Sequence, residues 1–402
     1  MTDVLILGAS HSGIAAAAAL RSSGFDGSVV ILTQETVAPY HKPPLSKEAL
    51  SSAQYSPTLL RPAMFYQTNR IDLRQGVTIT GLDLNSKVLQ GEDGSQFGYE
   101  SLILACGAEP RRLACEIDPE GLALYLRTHD DLLRLKDRLS SARSVVIIGG
   151  GLIGLEVAAM AVANGLRAVL VEPAERLMMR AVSRSISGYL LDRHMAAGLD
   201  IRLGASVIEI RRSDDNASEC VSFSDGSILE TDLTIAAIGI VPNDELARSA
   251  GLPVENGILA SEHGATEVSS VYAIGDCAAW LDPLSGRHVR SEAVNPGQDQ
   301  AKIVAALIAG VSLPSRGIPR LWSHQGHLKI QMAGDVNSAT SEAVLNAPES
   351  GAFSVLGFLE GRLISVQSVN AQRQFVKLHE LIGVDRGALA TALDVEFPPP
   401  RH

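Results

Sequence analysis

Two runs of small residues carry the clearest chemistry in the chain. The first, Gly8-Ala9-Ser10-His11-Ser12-Gly13, follows the apolar stretch Val4-Leu5-Ile6-Leu7; the second, Gly149-Gly150-Gly151-Leu152-Ile153-Gly154, follows Val145-Val146-Ile147-Ile148. This spacing turns a strand tightly into a helix, and the first N–H groups of that helix have no partner within it, so they face any anion brought against them. A pyrophosphate comes that close only where no bulky side chain holds it off, which explains glycine and serine at these positions. An ordinary strand-to-helix connection accounts for either turn alone. As a pair, each with a small-residue helix behind it (Ile14 to Arg21, Glu156 to Asn164), they point to two bound dinucleotides.

Beyond the second turn, the apolar run Val169-Leu170-Val171 ends at Glu172, whose carboxylate can accept hydrogen bonds from an adenosine ribose and repel a 2′-phosphate. NADH is therefore expected over NADPH. Beyond the first turn, Val29-Val30-Ile31-Leu32 leads through Thr33 to Gln34 and then Glu35, and either of the last two is a candidate for the equivalent contact.

Positioning two such turns takes two doubly wound α/β units. The expected division is a discontinuous dinucleotide-binding domain over 1–107 and 234–315, a second one over 108–233, and a C-terminal α+β domain over 316–402. The second domain carries a small β-meander that turns at Ser224-Asp225-Gly226-Ser227. Leu233 to Gly239 and Val271 to Asp276 are expected as strands returning to the first domain, which also includes Val77-Thr78-Ile79. In the last domain, alternating runs at Leu328 to Ala333, Phe353 to Phe358 and Leu363 to Gln367 read as strands, with a hairpin at Glu360-Gly361-Arg362. A helix over about 371–382 closes it, and Pro398 to Pro400 read as an extended end.

Composition narrows the class. With 402 residues, 46% of them hydrophobic and 20% charged, the chain can bury large cores. A net charge of −11 excludes a nucleic-acid surface. No apolar run is long enough to span a bilayer, no basic leader precedes the first strand, and a cytoplasmic protein is expected. Cys106, Cys115, Cys220 and Cys277 are too scattered for a metal-ligand or disulfide framework, and no metal site is expected. Trp280 shows no evident chemistry, and His11 reads as a structural part of the first turn.

An ordered set of further motifs resembles the flavin-dependent NADH:ferredoxin reductases of bacterial oxygenase systems, the putidaredoxin-reductase-like branch of the glutathione-reductase fold. It comprises Pro39-Tyr40, Pro43-Pro44-Leu45-Ser46-Lys47, Ala105-Cys106-Gly107-Ala108, Leu126-Arg127-Thr128, the Gly149 to Glu156 turn, Ala237 to Asn243, Ala273-Ile274-Gly275-Asp276-Cys277-Ala278 and Trp322-Ser323, and it spans essentially the whole chain. The resemblance implies FAD across the first turn (Gly8, Ser12, Gly13), with Gln34 or Glu35, Lys42, Lys47, Ile79, Ala105, Gly107, Arg127, Asp276, Val294 and Trp322 as further contacts. It implies NADH on Gly149, Gly151, Ile153, Gly154, Glu156, Glu172, Arg180 and Gly239, with Lys47 and Glu156 as an ion pair that positions reactants rather than reacting. Asn295-Pro296-Gly297 and His324 depart from the family pattern, where Gln-Asn-Ala and Asp are usual.

Relatives that reduce disulfides carry a redox cysteine in the stretch that here runs from Val37 to Gln54 and holds none. Electrons are therefore expected to leave singly, to a two-iron two-sulfur ferredoxin feeding a monooxygenase or ring-hydroxylating dioxygenase. A rubredoxin reductase, an NADH oxidase and an NADH-sensing flavoprotein of the same fold are the alternatives. Between Leu281 and Met332 basic residues outnumber acidic ones, and Arg290, Arg316, Arg320 and Lys329 form a candidate docking patch for an acidic carrier. A monomer or weak homodimer is expected.

Overall fold

The computed structural model describes residues 1–52, 55–214, 217–283, 285–394 and Phe397; Gln54 and Pro398 to Pro400 lie outside them. The chain forms two compact units. The first comprises Met1–Lys42, Ser56–Glu109 and Ile240–Pro319; the second comprises Pro43–Tyr55, Pro110–Gly239 and Arg320–His402.

In the first unit, Thr2–Leu7 lies between parallel neighbours Val29–Thr33 and Gln96–Leu104, and Ile71–Gln75 extends the sheet beyond Val29–Thr33. Val4, Leu5 and Ile6 are fully buried, as a parallel sheet covered on both faces requires. Val271–Ala273 pairs parallel with the end of Gln96–Leu104, while Val88–Gly91 and then Ile79–Asp83 continue antiparallel from its beginning. Of the apolar run at 77–79, only Ile79 belongs to a strand. The helices His11–Ser22 and Val294–Ala309 pack on each other. Trp280 is a core residue with its indole N–H satisfied by Ala273 O at 2.7 Å, which accounts for its lack of chemistry.

In the second unit a four-stranded parallel sheet runs in the order Asp200–Leu203, Arg167–Glu172, Ser144–Ile148, Thr234–Ala236. The last strand corrects one expectation. Thr234–Ala236 does not return to the first unit; it pairs with Ser144–Ile148, placing Ile235 beside Ile147, and all three of its residues are buried. Completing this sheet edge satisfies backbone groups that would otherwise be buried without partners. Val207–Arg212, Glu219–Phe223 and Ile228–Thr231 form the antiparallel meander, with Ser227 N–H on Asp225 Oδ1 in its turn.

The C-terminal part of this unit is a five-stranded antiparallel sheet in the order Arg320–Gln325, Leu328–Gly334, Arg362–Val369, Phe353–Leu359, Ser341–Leu345. Glu360 and Gly361 have φ of +49° and +79°, the left-handed pair that a two-residue hairpin turn requires. The final helix is shorter than expected, Gln372–His379. A second helix, Arg386–Leu393, follows Gly383 and is capped by Asp385, whose carboxylate accepts from Gly387 N–H at 2.8 Å. Among the described residues no helix is long and apolar enough to cross a membrane, and no cluster of three His, Cys, Asp or Glu is arranged for a metal.

Candidate active site

In the first unit, the glycines at the ends of the first turn are dictated by backbone approach. Gly8 takes φ +114°, and a Cβ there would stand 2.1 Å from Ala105 O; a Cβ on Gly13 would stand 1.9 Å from Gly8 O. Between them Ser10 is the N-cap, with φ −85° and no capping bond from its hydroxyl. Ser12 Oγ packs under the facing elements, since a Cβ on Gly275 or Gly297 would lie 2.6 or 2.4 Å from it. Gly297 of the divergent Asn295-Pro296-Gly297 thus lets the Val294–Ala309 helix close on Ser12, and Pro296 in its first turn loses no helical hydrogen bond. His11 is buried with its ring edge-on to His41, 5.3 Å between centroids.

Other expected contacts of this unit are held by residues the sequence did not single out. Gly275 N–H donates to the buried Gln300 Oε1 at 2.7 Å, fixing the turn that presents Asp276. Asn243 donates from N–H to Gly107 O and from Nδ2 to Cys106 O, both at 3.0 Å, and so anchors the Ala105 to Gly107 turn. Ile79 and Val294 are half-buried. Glu35 accepts from Tyr40 OH at 2.8 Å and Lys42 Nζ at 2.7 Å, whereas Gln34 is exposed. The Cys106 thiol sits in hydrogen-bond contact with the fully buried Cys277, and this contact together with burial holds Cys106 well above the ordinary thiol pKa.

The second unit repeats the cradle. Gly149 takes φ +108°, its Cβ would meet Ala237 O at 2.5 Å, and a Cβ on Gly154 would meet Gly149 O at 1.9 Å. Gly151 differs: its φ is −83°, and nothing lies within 4 Å of where its Cβ would be. The fold makes no demand for glycine there, so the open space fits an anion lying against the helix N-terminus. Ile153 beside it is exposed. Glu172 folds its carboxylate onto the same turn, accepting from Gly150 N–H at 2.6 Å and Ala174 N–H at 2.8 Å. Gly239 takes φ +101°, a Cβ there would meet Arg180 Nη2 at 3.7 Å, and Arg127 precedes the capping box Thr128 to Asp131.

Lys47 and Glu156, 109 residues apart, meet in this unit with Nζ to Oε2 at 2.8 Å. Glu156 is 3% exposed, so it is not a solvated acid on the helix surface. Its carboxylate is held by four donors: Ser46 Oγ joins Lys47 on Oε2, while Ser323 Oγ at 2.6 Å and, at a longer 3.3 Å, His324 N–H serve Oε1. Four donors are what a buried carboxylate needs to offset its lost hydration. Ser46 and Ser323 lay inside quoted motifs without an assigned role. Burial, followed by the Lys47 and Lys329 charges, lowers the His324 pKa below that of an ordinary imidazole.

The basic segment needs one correction. The Arg290 side chain is 7% exposed and is bonded to Glu292 Oε1 at 2.6 Å, Asn256 Oδ1 and Asp276 O, so it is a structural cation within the first unit rather than a docking residue. Arg316 is exposed in that unit. In the second, the strand Arg320–Gln325 turns Arg320, Trp322 and His324 outward and Ser323 and Gln325 inward, with Lys329 opposite His324 on the next strand.

Known proteins are similar to this chain along its length. Residues 2–301 match the pyridine nucleotide-disulphide oxidoreductase family, and residues 320–395 match the reductase C-terminal family. The chain is 37% identical to the rhodocoxin reductase of Rhodococcus erythropolis, over 100% of this chain and 95% of that one. A ferredoxin reductase for the CYP199A2 system from Rhodopseudomonas palustris superimposes with a TM-score of 0.90 at 35% identity, covering 96% of both chains. A covalent putidaredoxin reductase–putidaredoxin complex gives a TM-score of 0.91 at 33% identity, over 96% of this chain and 95% of that chain. With two glycine cradles on doubly wound sheets and a reductase C-terminal sheet after them, this chain belongs to the pyridine nucleotide-disulphide oxidoreductase family.

Proposed function

We propose that this chain is an FAD-dependent NADH:ferredoxin oxidoreductase that passes electrons to a two-iron two-sulfur ferredoxin serving a monooxygenase or ring-hydroxylating dioxygenase. The observation that carries the reading is the doubled cradle, in which Gly151 leaves open the space a pyrophosphate takes. The names of the reductases above support a ferredoxin-type acceptor. Bound FAD supplies the hydride acceptor and the donor of single electrons.

The chain's own residues bind and orient. In this reading Met1–Lys42, Ser56–Glu109 and Ile240–Pro319 serve FAD, Pro110–Gly239 serves NADH, and the sheet from Arg320 onward forms a third domain. Gly8, Ser12, Gly13, Glu35, Lys42, Ile79, Ala105, Gly107, Asp276 and Val294 hold FAD, with Lys47, Arg127 and Trp322 as further contacts. Gly149, Gly151, Ile153, Gly154, Arg180 and Gly239 hold NADH, and Glu172 takes the ribose hydroxyls and turns away a 2′-phosphate. Glu156, its four donors fixing both oxygens, orients the nicotinamide carboxamide, and Lys47 sets positive charge beside the reacting ring.

The lack of cysteine between Val37 and Gln54, and a Cys106 thiol held protonated by its surroundings, favour an external carrier over a disulfide as acceptor. Arg320 and Lys329, with Arg316 as a further exposed cation, attract an acidic carrier. The free cysteines fit a reducing, cytoplasmic compartment. The test is stopped-flow reduction of the FAD-loaded protein by NADH and by NADPH, followed by mixing with candidate ferredoxins. Faster reduction by NADH and onward transfer to one ferredoxin is the expected result. A protein that stays colourless after reconstitution, or that reduces only disulfides, overturns the proposal.

A further inference from the structure

A buried chain of polar side chains runs from Glu156 away from Lys47, and its hydrogen-bond directions are fixed by elimination. Glu156 Oε1 can only accept, so Ser323 Oγ, 2.6 Å away, spends its single proton there. Ser323 must then accept, which it does from Gln325 Nε2 at 3.2 Å. With the amide nitrogen so assigned, Gln325 Oε1 faces His194 Nε2 at 2.8 Å and accepts a hydrogen bond from its N–H. Because Gln325 Oε1 can only accept, the His194 Nε2 must carry a hydrogen, and burial lowers the pKa of this ring. One hydrogen each of His194, Gln325 and Ser323 is thus directed along the chain toward Glu156.

The Gln325 carboxamide has one more contact. Its Nε2 also donates to Met178 Sδ at 3.4 Å, and Met178, held at φ +49°, donates its backbone N–H to Gly150 O at 2.9 Å inside the second glycine turn. Gln325, 1% exposed, thus touches both the residue that braces the turn and the hydroxyl that holds Glu156. An inward-facing glutamine in a strand is costly to bury, and here both its amide hydrogens are directed at these two jobs.

We propose that Gln325 is a positioning residue for hydride transfer, joining the glycine turn that receives NADH to the Glu156 carboxylate, with His194 as the terminal donor that orients its amide. The proposal rests on the functional reading above. It predicts that the ordering of the nucleotide and the ordering of Glu156 are one event rather than two.

Gln325→Met keeps the length and packing of the side chain and removes every hydrogen bond. In FAD-loaded protein labelled with 15N-histidine, His194 is assigned by the signal lost in His194→Asn. The wild type should show a slowly exchanging His194 Nε2–H, and Gln325→Met should lose it. NAD⁺ titration of the oxidised holoenzyme, read by perturbation of the flavin absorbance, should weaken about 5-fold, the worth of a hydrogen bond of ordinary strength. Ser323→Ala removes one oxygen from a folded strand and should cost the same, with the double variant no weaker than either single one. Wild-type NAD⁺ affinity in Gln325→Met or Ser323→Ala, whatever their melting temperatures, overturns the proposal, as does full additivity. Should the wild-type holoenzyme bind no NAD⁺, the functional reading falls, and persistence of the protected His194 proton in Gln325→Met then overturns the chain by itself.

Discussion

Gly151 and Gly154 stand three positions apart in one turn, and their substitution should produce opposite signatures. A Cβ on Gly154 would be 1.9 Å from Gly149 O, roughly 1.6 Å inside the ~3.5 Å of ordinary contact, and both partners are backbone. The strand-to-helix turn would have to open, so Gly154→Ala should cost about 3 kcal/mol of stability, the scale of severe overpacking. A side chain on Gly151 meets nothing within 4 Å and sits at φ −83°, ψ −171°, close to the φ −85°, ψ −165° at which Ser10 occupies the same place in the first turn. Gly151→Val should therefore cost at most ~1 kcal/mol, through poorer capping. It should nevertheless weaken NAD⁺ by about 100-fold, because its methyl groups fill the space of the pyrophosphate. Thermal melts beside NAD⁺ titrations of the oxidised holoenzyme read both quantities. If Gly151→Val melts as low as Gly154→Ala, or binds NAD⁺ like the wild type, the assignment of that space to a ligand is wrong.

Glu172→Gln, which loses the charge but keeps the shape, should raise kcat/KM for NADPH about 10-fold while lowering it for NADH, measured by dye reduction; an unchanged ratio would deny Glu172 its selectivity. Glu219 is fully buried beside Arg138, and burial raises its pKa above the usual carboxylate value of 4.5. Its contribution to stability is therefore complete below that value and declines as pH rises through the higher native pKa. Glu219→Gln does not ionise, so it should melt above the wild type at pH 7 to 8 and level with it near pH 4; a constant difference across that range would refute the assignment. Cys115 is exposed, Cys277 fully buried and Cys106 held as a thiol, so a disulfide reagent should label Cys115 rapidly in the native protein and all four cysteines only after unfolding. Rapid native labelling of Cys277 would contradict the packing of the first unit.

Both cradles could be read from the chain because their determinants are local: an apolar strand, glycine at fixed spacing and a helix occupy about a dozen residues. The place of Glu172 at the end of the strand Arg167–Glu172 was legible for the same reason. The Lys47–Glu156 pair was not, since 109 residues separate its members and only the resemblance joined them. Ser323 and Gln325 alternate with the outward residues Arg320, Trp322 and His324, and the signal available for them is this period-two register, which turns both inward. The sheet that Thr234–Ala236 joins cannot be read locally, because a three-residue β-prone stretch fits any sheet edge and long-range pairing alone decides between edges. Arg290 misled for a related reason: counting charges along a segment cannot see that Glu292 and a backbone carbonyl already occupy the guanidinium.

The interrupted course of the first unit sets an order for biosynthesis. The edge of Gln96–Leu104 that Val271–Ala273 covers stays uncovered until the ribosome has made more than 160 further residues, whereas the inserted parallel sheet has all its strands once Ala236 emerges. The later-coded nucleotide fold can thus mature while the earlier one waits with an open flank. Nascent chains arrested between these two points would carry one finished sheet and one sticky edge, the state most in need of a holdase.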